Sequence, residues 1–104
     1  MDKIDVAVIL GSDSDLELGK AAIQSLKSFD LSCELKVISA HRSPDVLVDY
    51  LQSSQQNGCR AYIAIAGMAA HLAGAVAANS TKPVLGVPSD NSSLNGFLFL
   101  PSVV

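Results

Sequence analysis

Ile4-Asp5-Val6-Ala7-Val8-Ile9-Leu10, followed at once by Gly11-Ser12-Asp13-Ser14-Asp15, is the stretch that decides the fold. Apart from Asp5 the run is apolar and rich in Val and Ile. That pattern suits a strand buried on both faces of a parallel sheet rather than one with a wet face. The Gly-Ser-Asp segment breaks it, and the spacing predicts a helix behind it to about Phe29. Leu18, Ala22, Leu26 and Phe29 form its expected inward stripe, with Leu16 and Ile23 alongside.

The same alternation continues down the chain. Asp30-Leu31-Ser32 turns into a second strand, Glu34 to Ile38, and Ser39-Ala40-His41-Arg42 leads to a second helix. Ser43 suits its N-cap, Pro44 its first helical position and Asp45 the positive end of its dipole. This helix runs to about Asn57 with Val46, Leu47, Tyr50 and Leu51 on one face, and Gly58 is its stop. Arg60 to Ala66 is a third strand, uncharged from Ala61 onward and suited to the sheet centre. Gly67 ends it, Met68 to about Asn79 reads as a third helix, and Pro83 to Val87 is a short fourth strand closed by Pro88. Three strand–helix alternations with short loops indicate right-handed βαβ units. The expected fold is α/β, a flavodoxin-like three-layer αβα arrangement around a doubly wound parallel sheet of four strands. A fifth strand stays open. Beyond the polar loop 89–93, Phe97-Leu98-Phe99-Leu100 reads either as a strand or as a frayed apolar tail, and Gly96 and Pro101 disfavour a helix.

With 104 residues the chain makes one domain. Hydrophobic residues are 49%, enough for a core, whereas charged residues are only 16%, low for a lone globule and a hint of subunit contacts. A net charge of -3 gives no basic field for nucleic acid. No apolar run reaches membrane-crossing length and no charged-then-apolar leader precedes the first strand, so a cytoplasmic protein without membrane contact is expected. Cys33 and Cys59 have no metal-ligand spacing and read as reduced, small buried side chains. The third helix is unusual in carrying Ala69, Ala70, Ala73, Gly74, Ala77 and Ala78. Either it packs tightly on its own sheet, or it also meets its copy in a neighbouring subunit.

In an open parallel sheet the loops leaving the strand carboxyl ends share one edge, and ligands bind where strand order reverses. Three such loops carry chemistry here, and they hold both histidines of the chain or lie one turn before them. The Gly11–Asp15 loop offers Ser12 and Ser14 hydroxyls and a helix start, features that suit a phosphate; the competing reading is an ordinary serine-capped turn. Asp15 would repel a phosphate and is better placed capping the helix or accepting from a sugar hydroxyl. Arg42 either pairs with a phosphate or carboxylate or bridges to Asp45. His41 is either an acid–base group or a hydrogen-bonded structural histidine. His71 is the weaker candidate, facing the crevice or merely packing. Two histidines without a nearby glutamate or cysteine pair do not fill a metal shell, and no Gly-x-Ser-x-Gly elbow supports a serine triad.

Gly11-Ser12-Asp13-Ser14-Asp15, Ser39-Ala40-His41-Arg42-Ser43-Pro44, Ala66-Gly67-Met68-Ala69-Ala70-His71-Leu72 and Pro83-Val84-Leu85-Gly86-Val87-Pro88 together resemble the N5-carboxyaminoimidazole ribonucleotide mutases, the PurE-type enzymes of purine (IMP) biosynthesis. The resemblance runs from about Val6 to Pro88. Arg42 and Met68-Ala69-Ala70-His71 are similar to the bacterial-type mutases rather than to the animal-type carboxylases, which tend to have Lys after the loop histidine. The resemblance implies an isomerase that moves a carboxylate from the exocyclic nitrogen to C4 of an aminoimidazole ribonucleotide, with no cofactor and no metal. His41 matches the family's proton-transferring histidine. Ser12, Asp15 and Arg42 match ribonucleotide-binding positions, and Ser14, Ser39, Ala40 and Gly67 lie beside them. Met68, Ala69, His71 and Leu72 fall in the loop that holds carbon dioxide. The family assembles as octamers whose sites are shared between subunits, so a homo-oligomer is implied. Residues 89–104 depart from the family pattern and read as a divergent or shortened tail of a single PurE-like domain. That departure keeps two other functions open: a non-catalytic nucleotide-binding or assembly module, and a related carboxylase of another heteroaromatic ring.

Overall fold

The computed structural model describes residues 3–67, 69–89 and 98–100. Five strands, β1 (Val6–Leu10), β2 (Cys33–Val37), β3 (Ala61–Ala66), β4 (Val84–Pro88) and β5 (Leu98–Leu100), form one sheet in the order β2-β1-β3-β4-β5. The first four are parallel, which is the doubly wound, flavodoxin-like order. β1 is buried along its whole length, as its unbroken apolar run requires, and β3 takes the sheet centre. β5 runs antiparallel to β4, with Leu85 opposite Phe99. The question left open by the sequence is thereby settled in favour of a strand, but one of opposite direction to the other four. The polar residues 90–93 lie outside the described residues.

Helices α1 (Leu16–Lys27), α2 (Pro44–Gln56) and α3 (Ala69–Ala78) cover the two faces unequally. α2 and α3 share one face, where Leu47, Leu51, Leu72, Ala73 and Val76 pack on Ala7, Ile9, Tyr62 and Ala64. Each fully buried Leu there contributes roughly 1.5–3 kcal/mol. Among the described residues α1 alone covers the other face, through Leu16, Ala22, Ile23 and Leu26 against Val8, Leu10 and Ile65. Beside it Ile63, Ile65, Leu85 and Val87 line an apolar groove of about 310 Å³. No helix among the described residues is long and apolar enough to cross a membrane.

Several local expectations are corrected. A 3-10 turn at Asp13–Asp15 precedes α1, and α1 ends at Lys27, two residues short of Phe29. Phe29 is 76% exposed and Leu18 41%, so neither belongs to the inward stripe. Val46 of α2 likewise points outward at 54% exposure, while Ser54 takes a buried place on that helix. Ser43 occupies the N-cap position, yet its side chain makes no capping hydrogen bond. Gly58 does stop α2: its φ of 91° is a left-handed conformation that glycine adopts without a Cβ penalty. Both cysteines are free thiols; Cys59 is buried and Cys33 only partly so.

Candidate functional site

Parallel pairing brings the three chemistry-bearing loops to one edge. The register sets Leu10 beside both Val37 and Ile65, so the residues after all three strands emerge together. Backbone bonds carry the pairing past the strand ends, from Ile38 N–H to Leu10 C=O at 2.9 Å and from Gly11 N–H to Ile65 C=O at 2.9 Å. The reversal of strand order between β1 and β3 lies at this point.

Gly11, Ser12, Asp15, Ser39, Ala40, His41, Ala66, Gly67, His71 and Leu72 line one cavity of about 180 Å³. A neighbouring cleft is lined by Gly11, Ser12, Asp13, Val37, Ser39 and Arg42. Of the sequence-selected residues, eight thus share the cavity and Arg42 stands in the adjoining cleft. Ser14 is exposed and reaches the cavity only through a 2.6 Å hydrogen bond between its hydroxyl and that of Ser12. Met68 lies outside the described residues, and Ala69 begins α3.

The first loop is closed by its own carboxylate. Asp15 is 6% exposed and its Oδ2 accepts the Ser12 N–H at 3.2 Å; it stands at the N-cap position of α1, but its side chain makes no capping hydrogen bond to that helix. The second loop is a tight turn: Ser43 N–H donates to Ser39 C=O at 2.9 Å and Arg42 N–H to Ser39 Oγ at 3.2 Å. Arg42 is exposed and, among the described residues, forms no ion pair with Asp45 or any other carboxylate. Its guanidinium is thus available at the cleft.

The two histidines meet face to face. Their ring centroids are 4.1 Å apart and the planes differ by 10°. The sequence separates them by a strand and a helix, and no spacing rule announces the contact. Gly11, which opens the loop that suits a phosphate by sequence, and Ala66 also wall the cavity. Ala66 is the residue that sequence reasoning misses; Leu10 opposite Ile65 sets it beside Gly11.

The family model described as AIR carboxylase matches residues 5–104. The chain belongs to the AIR carboxylase family. It is 46% identical over 99 residues to the N5-carboxyaminoimidazole ribonucleotide mutase of Pyrococcus abyssi, covering 95% of this chain and 57% of that protein. The Synechocystis protein of the same name is 48% identical, with 95% of this chain and 56% of that protein covered. A phosphoribosylaminoimidazole carboxylase of Schizosaccharomyces pombe is also 48% identical over 95% of this chain, which matches 18% of its length. This AIR carboxylase family chain therefore spans a little over half the length of the curated mutases it matches.

Proposed function

We propose that this chain carries the catalytic cavity of an N5-carboxyaminoimidazole ribonucleotide mutase. The observation that carries the reading is the placing of His41 in one cavity with the Ser12–Asp15 loop and His71. The ribose phosphate would be held by the Ser12 and Ser14 hydroxyls and by Arg42, whose planar fork suits a phosphate. Asp15, Ser39 and Ala40 would line the sugar and ring. Gly67, Met68, Ala69 and Leu72 would enclose the carboxylate being moved. The N-carboxylate leaves as carbon dioxide, its bonding electrons returning to the exocyclic nitrogen, which takes a proton from the His41 imidazolium and leaves that ring neutral. Carbon 4 of the electron-rich ring then attacks the trapped carbon dioxide, and His41 takes the C4 proton to restore aromaticity. Holding both reactants in one small cavity makes that second step effectively unimolecular. A histidine suits it because imidazole both gives and takes protons near neutral pH.

The test is conversion of the N-carboxylated to the C-carboxylated ribonucleotide by the 104-residue chain. His41→Asn should abolish it; a fully active variant would remove the role of His41. Binding of the ribonucleotide without turnover would favour a non-catalytic module instead. Because one relative is named a carboxylase, aminoimidazole ribonucleotide with bicarbonate should be assayed in parallel. A homo-oligomer in the cytoplasm completes the proposal. The homo-oligomer is supported by the low charge content and by α3, which buries Leu72, Ala73, Val76 and Ala77 on its own sheet yet leaves Ala70 and Ala78 exposed.

A further inference from the structure

We propose that His71 is a positioning residue for His41, its imidazole serving as the platform that holds the His41 ring at the cavity wall without engaging either ring nitrogen. The inference deepens the mutase reading and rests on it for the role of His41. The turn from Ser39 to Ser43 fixes the backbone at His41 through its two hydrogen bonds but leaves the two side-chain torsions open. A histidine used for proton transfer is ordinarily oriented by a hydrogen bond to one ring nitrogen, which consumes that nitrogen. Among the described residues no side-chain hydrogen bond or ion pair involves either ring. Instead the rings lie 4.1 Å apart and 10° from parallel, closer than the roughly 4.5–7 Å usual for aromatic pairs. His71 is well rooted for this task. It sits in the first turns of α3, where the adjacent Leu72 and Ala73, 3% and 0% exposed, anchor the helix on the sheet. The contact therefore passes rigidity from a braced helix to a side chain on a loop.

Two measurements test this. In proton NMR of the chain with labelled histidine, the ring current of His71 should move the His41 ring protons upfield. His71→Phe should keep that displacement and His71→Ala should abolish it. In turnover, His71→Ala should lower kcat about 10- to 100-fold with KM unchanged, and His71→Phe should restore most of the loss. Unchanged His41 ring shifts in His71→Ala would overturn the proposal. So would a His71→Phe variant as slow as His71→Ala with a raised KM, since that pattern means a nitrogen of His71 touches substrate directly. A wild-type chain without turnover would sink the mutase reading alone, because the ring shifts decide the stack without substrate.

Discussion

Gly11 and Ala66 stand side by side at the sheet edge with no room between them: a Cβ on Gly11 would fall 2.9 Å from the Ala66 Cβ. Neither atom is the end of a flexible side chain, so the added methyl must displace backbone in β3 or in the serine loop. Gly11→Ala should therefore cost about 1–3 kcal/mol in chemical denaturation. On the proposed mutase reading it should also weaken ribonucleotide binding, since both displaced segments wall the cavity. A variant with wild-type stability would show that the two strands do not meet here as described.

Gly74 gives the opposite outcome, because among the described residues nothing lies within 4 Å of where its Cβ would stand. In mid-helix an alanine there should stabilise the chain by about 0.5–1 kcal/mol. Thermal unfolding checks it at concentrations where the chain is monomeric. If the open face of α3 meets another copy, the same methyl should weaken association even as it stabilises the fold. Light scattering separates these two effects.

Alkaline pH should unfold the chain through Tyr62. Burial pushes its phenol up to about 12, against which the Ser54 hydrogen bond acts only in part. The hydroxyls of Ser54 and Tyr62 lie 2.7 Å apart, and that of Tyr62 also donates to the Leu51 C=O at 3.3 Å. Because the folded value lies above the unfolded one, near 10, this contribution is complete below pH 10 and fades as pH rises toward 12. Its size is on the order of 2–3 kcal/mol. Tyr50 and Cys59, also raised chiefly by burial, act in the same direction. Tyr62→Phe should flatten the alkaline limb of a stability profile followed by circular dichroism.

Acid pH should act at the opposite end of the sheet, through Asp5. Its carboxylate accepts the Ser32 N–H at 3.0 Å and the Ser32 hydroxyl at 3.1 Å, and lies near Arg60 and Lys3. The Ser32 backbone bond leads in holding its pKa below the usual carboxylate range. The stabilisation is thus present above pH 3.8 and is lost as pH falls through the lower folded value. Asp5→Asn should remove that acid-side slope in a pH titration of stability.

The fold was legible because β1 and β3 are uniformly apolar runs separated by helical periods, a pattern few architectures accommodate. The errors cluster where period alone is insufficient. Leu18 and Val46 match helical spacing, but a helix on a sheet buries only the narrow strip that touches it, and the width of that strip is a tertiary property. Phe29 fits the helical period, but the helix ends at Lys27 and the chain turns through Asp30 at a φ of 60°. The antiparallel direction of Leu98–Leu100 follows from how the chain returns to β4, which three apolar residues do not encode. The loops of the candidate site could be read because strand–helix alternation fixes which edge they share. The face-to-face histidines could not, because that contact depends on side-chain torsions across distant elements.

The two imidazoles are also mounted on supports of unequal firmness. His41 follows β2, a margin strand paired on one side only and exposed at Lys36 and Val37, whereas α3 rests on interior strands. Peeling of that margin would draw the imidazoles apart while the interior is still intact. The histidine stack should then be lost before any global melting signal registers, which the His41 ring shifts followed on heating would show.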